Sequence, residues 1–127
     1  MGIRYADAHV KSVTGVHSTK RRRALSDRLK IPTDAELVKQ TTASVIRGPF
    51  AGHRAHMKLY QGESSKGYQS GYERVSMRWF EMTIPTAEFR QAWSYSGRTY
   101  KKAMEHYKNA VKDAKDEPGI TNVQEIL

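Results

Sequence analysis

His53 and His56 are the residues of this sequence whose type and spacing best suit metal binding or proton transfer. They lie three positions apart in a segment that we predict to be helical, so both imidazoles could face one metal ion. No third ligand follows at a fixed spacing, and we therefore predict no metal site. We expect the two imidazoles to face phosphate or a neighbouring helix.

Nucleophilic and acid–base catalysis find little support in the sequence. Glu105 and His106 are adjacent, which on a helix directs their side chains about 100° apart and prevents them from sharing a proton. The serines considered as nucleophiles all lack the Gly-x-Ser-x-Gly context of a nucleophile elbow; they are Ser64, Ser65, Ser70 and Ser96.

The segment Gly62–Gly67 superficially resembles a phosphate-binding loop. Tyr68 and Gln69 follow it where a Lys and a Ser or Thr are required, and no apolar strand precedes it. The chain has no cysteine, which excludes thiol nucleophiles, zinc ribbons and iron–sulfur clusters. We therefore predict that the protein is not an enzyme and holds no cofactor. A small nucleic-acid enzyme that uses His53 or His56 is the alternative.

The strongest signal is positive charge concentrated in the first half of the chain. The net charge is +9 at pH 7; residues 1–60 carry 12 Lys or Arg against 4 Asp or Glu, and residues 61–127 carry 10 against 9. Such asymmetry indicates a basic arm or face joined to a nearly neutral module, and its usual partner is a polyanion. We expect nucleic acid rather than a membrane, because the basic run at 19–30 offers few of the large apolar residues that a membrane-surface helix needs.

The run from Lys20 to Arg23 places four cations in consecutive positions. On a helix their side chains would point in directions spread most of the way round the axis. They could therefore contact phosphates on both sides of a surrounding duplex, but they could not all face a single groove. Arg47, Arg54 and Lys58 flank a Gly-Pro turn and could continue this track. If each excess charge of the +9 total offset one phosphate, a subunit would cover about four to five base pairs, a ratio typical of a coat protein.

Length and composition predict one small domain with a marginal core. The chain has 127 residues, of which Leu, Ile, Val and Phe make up about 17%, and highly charged chains below about 20% tend towards disorder. We therefore expect neighbouring subunits to complete the core. The chain lacks an apolar run of membrane-spanning length and a signal-peptide core, which predicts a soluble protein without a secretion signal. The scarcity of asparagine and cysteine favours a thermophilic source.

Hydrophobic periodicity predicts an all-α fold. We predict short helices at Arg4–Val13 and from Ser18 or Thr19 to Lys30, then a helix-turn-helix pair over residues 33–62. The first helix of the pair would begin with a capping box at Thr33–Glu36 and end at the Gly-Pro turn.

Two further helices are predicted in the second half. Residues 72–84 fit a helix through Val75, Trp79 and Met82 or a strand through Val75, Met77 and Trp79, and we choose the helix. A last helix from residue 86 to 115 would be about 45 Å long, so part of its apolar stripe should meet another subunit. That stripe consists of Phe89, Trp93, Tyr100, Ala103, Met104, Tyr107, Val111 and Ala114.

The predicted organisation is a basic, nucleic-acid-wrapping helical arm at residues 1–62, a Gly/Ser/Tyr connector at 63–71 and a helical packing module at 72–127. In this layout, and locally in the segment Val45–Arg54 with its Gly-Pro turn, the chain resembles the major coat proteins of archaeal filamentous and rod-shaped DNA viruses. The family implies a virion protein, assembled in the host cytoplasm, that coats linear double-stranded DNA without sequence specificity. Homodimers or heterodimers of coat subunits would stack into a helical filament, with or without a lipid envelope.

The resemblance also implies roles for two sets of residues. DNA contacts would come from Arg4, Lys11, Lys20, Arg21, Arg22, Arg23, Arg28, Lys30, Lys39, Arg47, Arg54 and Lys58. The outer helix bundle, completed by neighbouring subunits, would use Val75, Trp79, Phe80, Met82, Phe89, Trp93, Tyr100, Met104 and Tyr107.

Two other functions stay open from the sequence. The first is a cellular RNA- or DNA-binding protein, associated with the ribosome or the nucleoid, whose basic arm threads into folded nucleic acid. The second is an interaction module of a tailed virus particle, which would form rings and be indifferent to added DNA.

Overall fold

The computed structural model describes residues 30–68 and 71–127. These residues form one five-stranded antiparallel sheet and one α-helix, which packs against one face of the sheet. Short 3-10 turns flank the fourth strand, at Pro85–Ala87 and Gly97–Thr99. The elements in chain order are β1 (Glu36–Val45), β2 (Arg54–Tyr68), β3 (Gly71–Ile84), β4 (Phe89–Ser96), α1 (Lys102–Asp116) and β5 (Ile120–Glu125).

The sheet has the strand order β4-β3-β2-β1-β5. The first four strands form a meander, and α1 carries the chain back across the sheet so that β5 pairs antiparallel with β1. The β2–β3 hairpin is longer than its neighbours, because β1 pairs with β2 only as far as Gln61 and β4 pairs with β3 only as far as Met77. The far end of this hairpin therefore extends beyond the rest of the sheet as a two-stranded ribbon.

The predicted all-α fold is wrong, and β1 and β2 show why. Thr41, Ala43 and Val45 alternate with polar residues along β1, and Met57 and Leu59 do so along β2; all five are buried. A period of two buries one face of a strand, and β-branched Thr and Val favour this conformation. The same apolar residues can be fitted to a helical period, but only by ignoring this alternation.

The predicted helix-turn-helix pair at 33–62 is a turn followed by a β-hairpin. The Ala35 amide donates to the Pro32 carbonyl at 3.1 Å, so the segment thought to be a capping box is a tight turn. The Gly-Pro turn does break the chain, but it joins two strands rather than two helices. Gly48 and Gly52 have φ angles of 83° and 90°, which glycine adopts without the strain of other residues, and Phe50 between them enters the core.

The helix predicted over residues 72–84 is also wrong, and the strand alternative is correct. Val75, Met77 and Trp79 lie on one face of β3, while Phe80 and Met82 face the core. Both faces of this central strand carry large side chains, which explains why its periodicity fits a helix as well as a strand.

The helix predicted over residues 86–115 is confirmed only in its second half. Gly97, with a φ of 55°, ends β4, and α1 begins five residues later. Ala103, Tyr107 and Ala114 of the predicted stripe are buried on α1, whereas Phe89 belongs to β4. At 15 residues α1 is about 22 Å long rather than the predicted 45 Å.

Some of the predicted elements lie partly or wholly outside the residues that the structure describes. The two helices predicted at 4–13 and 18–30 lie outside them, apart from Lys30, which is exposed and not helical. The described residues of the segment predicted as a connector belong to the far end of the β2–β3 hairpin, because residues 63–68 are part of β2 and Gly71 begins β3.

The core lies between α1 and one face of the sheet, with Phe80 at its centre. Phe80 is fully buried, and its ring centroid lies 5.4 Å from that of Trp93 and 6.2 Å from that of Tyr107. The Tyr107 hydroxyl of α1 shares a hydrogen bond with the Thr41 hydroxyl of β1, which satisfies two buried polar groups. Small residues such as Ala110 let α1 approach the sheet closely.

Most residues predicted to pack against other subunits contribute to the interior of a single subunit. Trp79, Phe80, Met82, Phe89 and Tyr107 are buried, and the partly buried members of that set are Val75, Trp93, Tyr100 and Met104. The large apolar residues left exposed in the described chain are few: Ile46, Ile126 and Leu127.

His106 of α1 lies among aromatic rings of β3 and β4. Its ring centroid is 4.5 Å from that of Phe80 and 4.7 Å from that of Trp93, and its Nδ1 shares a hydrogen bond with the Tyr95 hydroxyl. Burial lowers the pKa of His106 and raises the pKa of Tyr95 to about 12. The folded state therefore favours the neutral form of both groups.

We expect His106 to make the fold sensitive to acid. Because its pKa is lower in the folded state than in the unfolded state, its stabilising contribution is complete above about pH 6.5 and falls as the pH drops towards the folded-state pKa. The Tm should therefore fall between about pH 7.5 and pH 5, and His106→Asn, which cannot titrate, should reduce that fall. An equal fall in both proteins would show that His106 does not contribute.

Candidate nucleic-acid interface

The face of the sheet opposite α1, here called the outer face, carries most of the polar strand residues. It is formed by the even-numbered residues of β2 from 54 to 60 and of β4, by the odd-numbered residues of β3, and by β1 residues 40, 42 and 44. Within residues 30–68 and 71–127, no helix packs on this face. Side chains here are placed by the pleat of the strands, which fixes their spacing at about 6.6 Å along each strand.

Three nitrogen-bearing side chains occupy consecutive outward positions of β2: Arg54, His56 and Lys58, here called the basic row. Arg54 is exposed, and its guanidinium donates to the Thr42 hydroxyl at 2.9 Å and to the Ser44 hydroxyl at 3.2 Å. These neutral partners hold the guanidinium across β1 without cancelling its charge. The arrangement suits the binding of an external anion such as phosphate.

His56 lies between the two cations of the basic row. Its Nδ1 shares a hydrogen bond with the Gln40 amide nitrogen at 3.0 Å. Partial burial, together with the positive charges of Lys58 and Arg54, lowers the pKa of His56. An anion bound at the basic row would oppose the effect of these charges and raise the pKa of His56. The pKa of His56 is therefore a probe for anion binding at the row.

Glu81 and Arg90 lie beside the basic row on β3 and β4. The Arg90 Nε donates to a Glu81 carboxylate oxygen at 2.7 Å, and Glu81 is only 8% exposed. Glu81 also stands opposite Lys58 in the register of β2 and β3. Around the basic row the outer face thus combines three cations with one buried carboxylate, and its net charge there is positive.

The outer face offers no exposed aromatic platform in the part of the chain that the structure describes. Trp79 is 4% exposed, and Tyr60 is partly buried beside it. A Cβ placed on Gly62 would lie 3.4 Å from the Trp79 ring and 3.6 Å from the Ala35 Cα. The absence of a side chain at Gly62 therefore lets the chain pass close to the sheet at this point.

The same contact shows where the basic amino-terminal segment joins the fold. Ala35 packs beside Trp79 and Gly62 on the outer face, and Lys30 lies only five residues before it. Residues 1–30 contain eight Lys or Arg against two Asp. Ala35, through which the described chain connects to the most basic segment of the sequence, thus packs on the face that carries the basic row.

The structure brings together only some of the residues predicted to contact DNA. Arg54 and Lys58 share the outer face, whereas Lys39 lies on the α1 side of β1 and forms a 2.9 Å ion pair with Glu125. Arg47 is exposed in the β1–β2 loop. The predicted contacts that lie outside the described residues are Arg4, Lys11, Lys20, Arg21, Arg22, Arg23 and Arg28.

His53 and His56, predicted to share a helix face, do not form a pair. His53 precedes β2 and shares a hydrogen bond with the Thr86 hydroxyl, while His56 belongs to the basic row. Within the described residues, no group of three His, Cys, Asp or Glu side chains could hold a metal ion.

A cleft of about 300 Å³ lies where β4 ends beside the β2–β3 hairpin. Its described lining contains neither His nor Lys, and the exposed Glu73 is its one acid–base residue. The residues that line it are Ser64, Ser65, Glu73, Val75, Met77, Ser96 and Gly97.

Sequence reasoning missed the neutral partners of the basic row. Thr42, Ser44 and Gln40 lie on β1, and they meet Arg54 and His56 only because the hairpin brings the two strands into register. The signal that could have found them is the alternation of Thr, Ala, Ser and Val in residues 41–45, which marks a strand with one polar face.

At 15 residues α1 is too short to cross a bilayer, and the described chain has no other α-helix that could do so. Comparison with protein-family models, with curated proteins and with solved structures gives no match, so the function must be argued from the geometry of the chain itself.

Proposed function

We propose that the protein is a non-catalytic nucleic-acid-binding protein that neutralises backbone phosphates without reading base sequence. The observation that carries the proposal is that the basic row lies on the face of the sheet where Ala35, five residues after the basic segment 1–30, packs. A nucleic-acid backbone lying on this face would place its phosphates against Arg54 and Lys58. The basic segment 1–30 would supply further cations.

The chemistry of the outer face supports backbone contacts to a duplex over stacking on single-stranded bases. Proteins that bind single strands without sequence preference stack successive bases on exposed aromatic rings. Among the described side chains of this face, Trp79 is 4% exposed and Tyr60 is partly buried, so neither ring is fully exposed. The Arg54 guanidinium, held by two neutral hydroxyls, and the Lys58 ammonium instead suit phosphate oxygens, which carry no sequence information.

Whether many copies coat a linear duplex as a filament stays a prediction. Electron micrographs of the protein with and without double-stranded DNA test it directly, because a coat gives filaments of uniform width that form only with DNA. A cellular binding protein of the nucleoid or ribosome would instead bind without continuous coverage.

The proposal itself is tested by fluorescence anisotropy of labelled duplexes over a range of salt concentrations. We expect duplexes of unrelated sequence to bind equally well, and log K to fall linearly with log salt by about 0.9 per phosphate contacted. Absence of binding at low salt, or a strong preference for one sequence, would contradict the proposal.

A further inference from the structure

α1 carries a second basic surface, on the opposite side of the protein from the outer face. Lys101, Lys108, Lys112 and Lys115 are exposed, and a turn of 100° per residue brings them within about 40° of one direction; we call them the lysine strip. The buried residues of α1, such as Ala110, lie on the other side of the helix.

The lysine strip is only partly compensated by acidic residues. None of its four members forms an ion pair with a described residue. The positive charge of Lys115 helps to lower the pKa of Glu125, but the ion pair of Glu125 is with Lys39. Lys112 lies four positions from Lys108 and three from Lys115, spacings at which like charges repel on a helix. Glu105 shares the strip and Asp116 flanks it, which leaves a clear excess of positive charge.

Helix stability explains only part of the strip, because Lys115 lies in the last turn, where a cation complements the helix dipole. Lys101 and Lys102 stand at the amino end of α1, where the helix dipole disfavours cations, and no side chain caps that end. Glu105 in the first turn is acidic, but these two lysines outnumber it at this end of the helix. The arrangement instead favours contact with an external polyanion.

We propose that the lysine strip binds the phosphate backbone of a second nucleic-acid segment, so that one copy of the protein bridges two duplexes. This inference rests on the proposed function, because the first duplex is bound at the outer face. The sheet and α1 lie between the two surfaces, which face opposite directions, so one straight duplex cannot contact both. The strip is about 21 Å long, enough to follow several phosphates that recur every 3.4 Å along a strand.

A capture experiment tests the bridge. A biotinylated duplex on beads is incubated with the full-length protein and a second, fluorescent duplex, and the fluorescence retained on the beads measures bridging. Binding to a single duplex is measured in parallel by anisotropy. We expect Lys108→Gln/Lys112→Gln to change single-duplex affinity by less than about threefold and to reduce capture at least fivefold.

The matched control is Arg74→Gln/Arg98→Gln, which removes the same charge from exposed residues that belong to neither the basic row nor the lysine strip. It should bridge like the unaltered protein, and both variants should keep its Tm. The inference is overturned if the lysine variant still bridges, as it would if dimers joined two outer faces or if the strip bound an acidic protein. It is also overturned if the unaltered protein binds one duplex without bridging, a result that leaves the proposed function intact. Failure of the unaltered protein to bind any duplex would overturn both.

Discussion

Arg54→Gln/Lys58→Gln should weaken binding to duplex DNA by on the order of tenfold at about 0.15 M salt. Each phosphate contact contributes about 0.9 to the slope of log K against log salt, so the loss of two contacts should lower the slope by about 1.8. The loss should be the same for every duplex sequence, because the row meets phosphates and not bases. Anisotropy titrations at several salt concentrations measure both the affinity and the slope.

Arg74→Gln/Arg98→Gln is the control for this variant, since it removes an equal charge from exposed positions off the outer face. Arg74 pairs with Glu63 at 2.9 Å, but both side chains are exposed and such pairs contribute little to stability. We expect the control to keep the slope of the unaltered protein. Equal losses in the two variants would show that total charge, and not the basic row, governs binding.

Phe80→Ala should destabilise the fold by about 3–5 kcal/mol, a large part of the 5–15 kcal/mol typical of a domain. Phe80 is fully buried against Trp93, His106 and Tyr107, so its removal leaves a cavity between the sheet and α1. Urea unfolding followed by circular dichroism gives the change in the free energy of unfolding.

Ile46→Ala serves as the comparison, because Ile46 is 52% exposed and its truncation should change stability by less than about 0.5 kcal/mol. We also expect the unfolding midpoint of the unaltered protein to be independent of its concentration. The core around Phe80 is built from one chain, and only a core completed by another subunit would make the midpoint rise with concentration. A small effect of Phe80→Ala would contradict the packing described above.

The charge distribution and the lack of known catalytic motifs could be derived from the sequence, but most of the fold could not. α1 was predictable where Ala103, Tyr107 and Ala114 recur at helical spacing. β3 was ambiguous, because Trp79 and Phe80 are adjacent and both buried, on opposite faces of the sheet. Burial on both faces removes the alternation by which a strand is recognised.

The candidate interface was predictable only in part, for a related reason. Arg54 and Lys58 could be singled out as cations, but assigning them to a helix hid that they alternate with buried Ala55 and Met57. The ion pair of Arg90 with Glu81 depends on the register of β3 and β4, which a shift of one residue would destroy. Such cross-strand partners cannot be derived from spacing along the chain.

The fold also bears on the resemblance to archaeal virus coat proteins. The helix bundle that the resemblance implies for the second half of the chain is wrong, because that half contains β3, β4 and β5 and a single helix. The amino-terminal arm lies outside the described residues and stays a prediction. The proposed binding of duplex phosphates does not require such a bundle, since the basic row is formed by a β-strand.

The most direct measurement of the central claim is an NMR titration of the His56 and His106 imidazoles with and without duplex DNA. The pKa of free His56 is lowered by burial, Lys58 and Arg54, so a phosphate backbone lying on the basic row should raise it. His106 is enclosed by aromatic rings on the other side of the sheet, and its pKa should change far less. A bound duplex that leaves the His56 pKa unchanged would contradict the account.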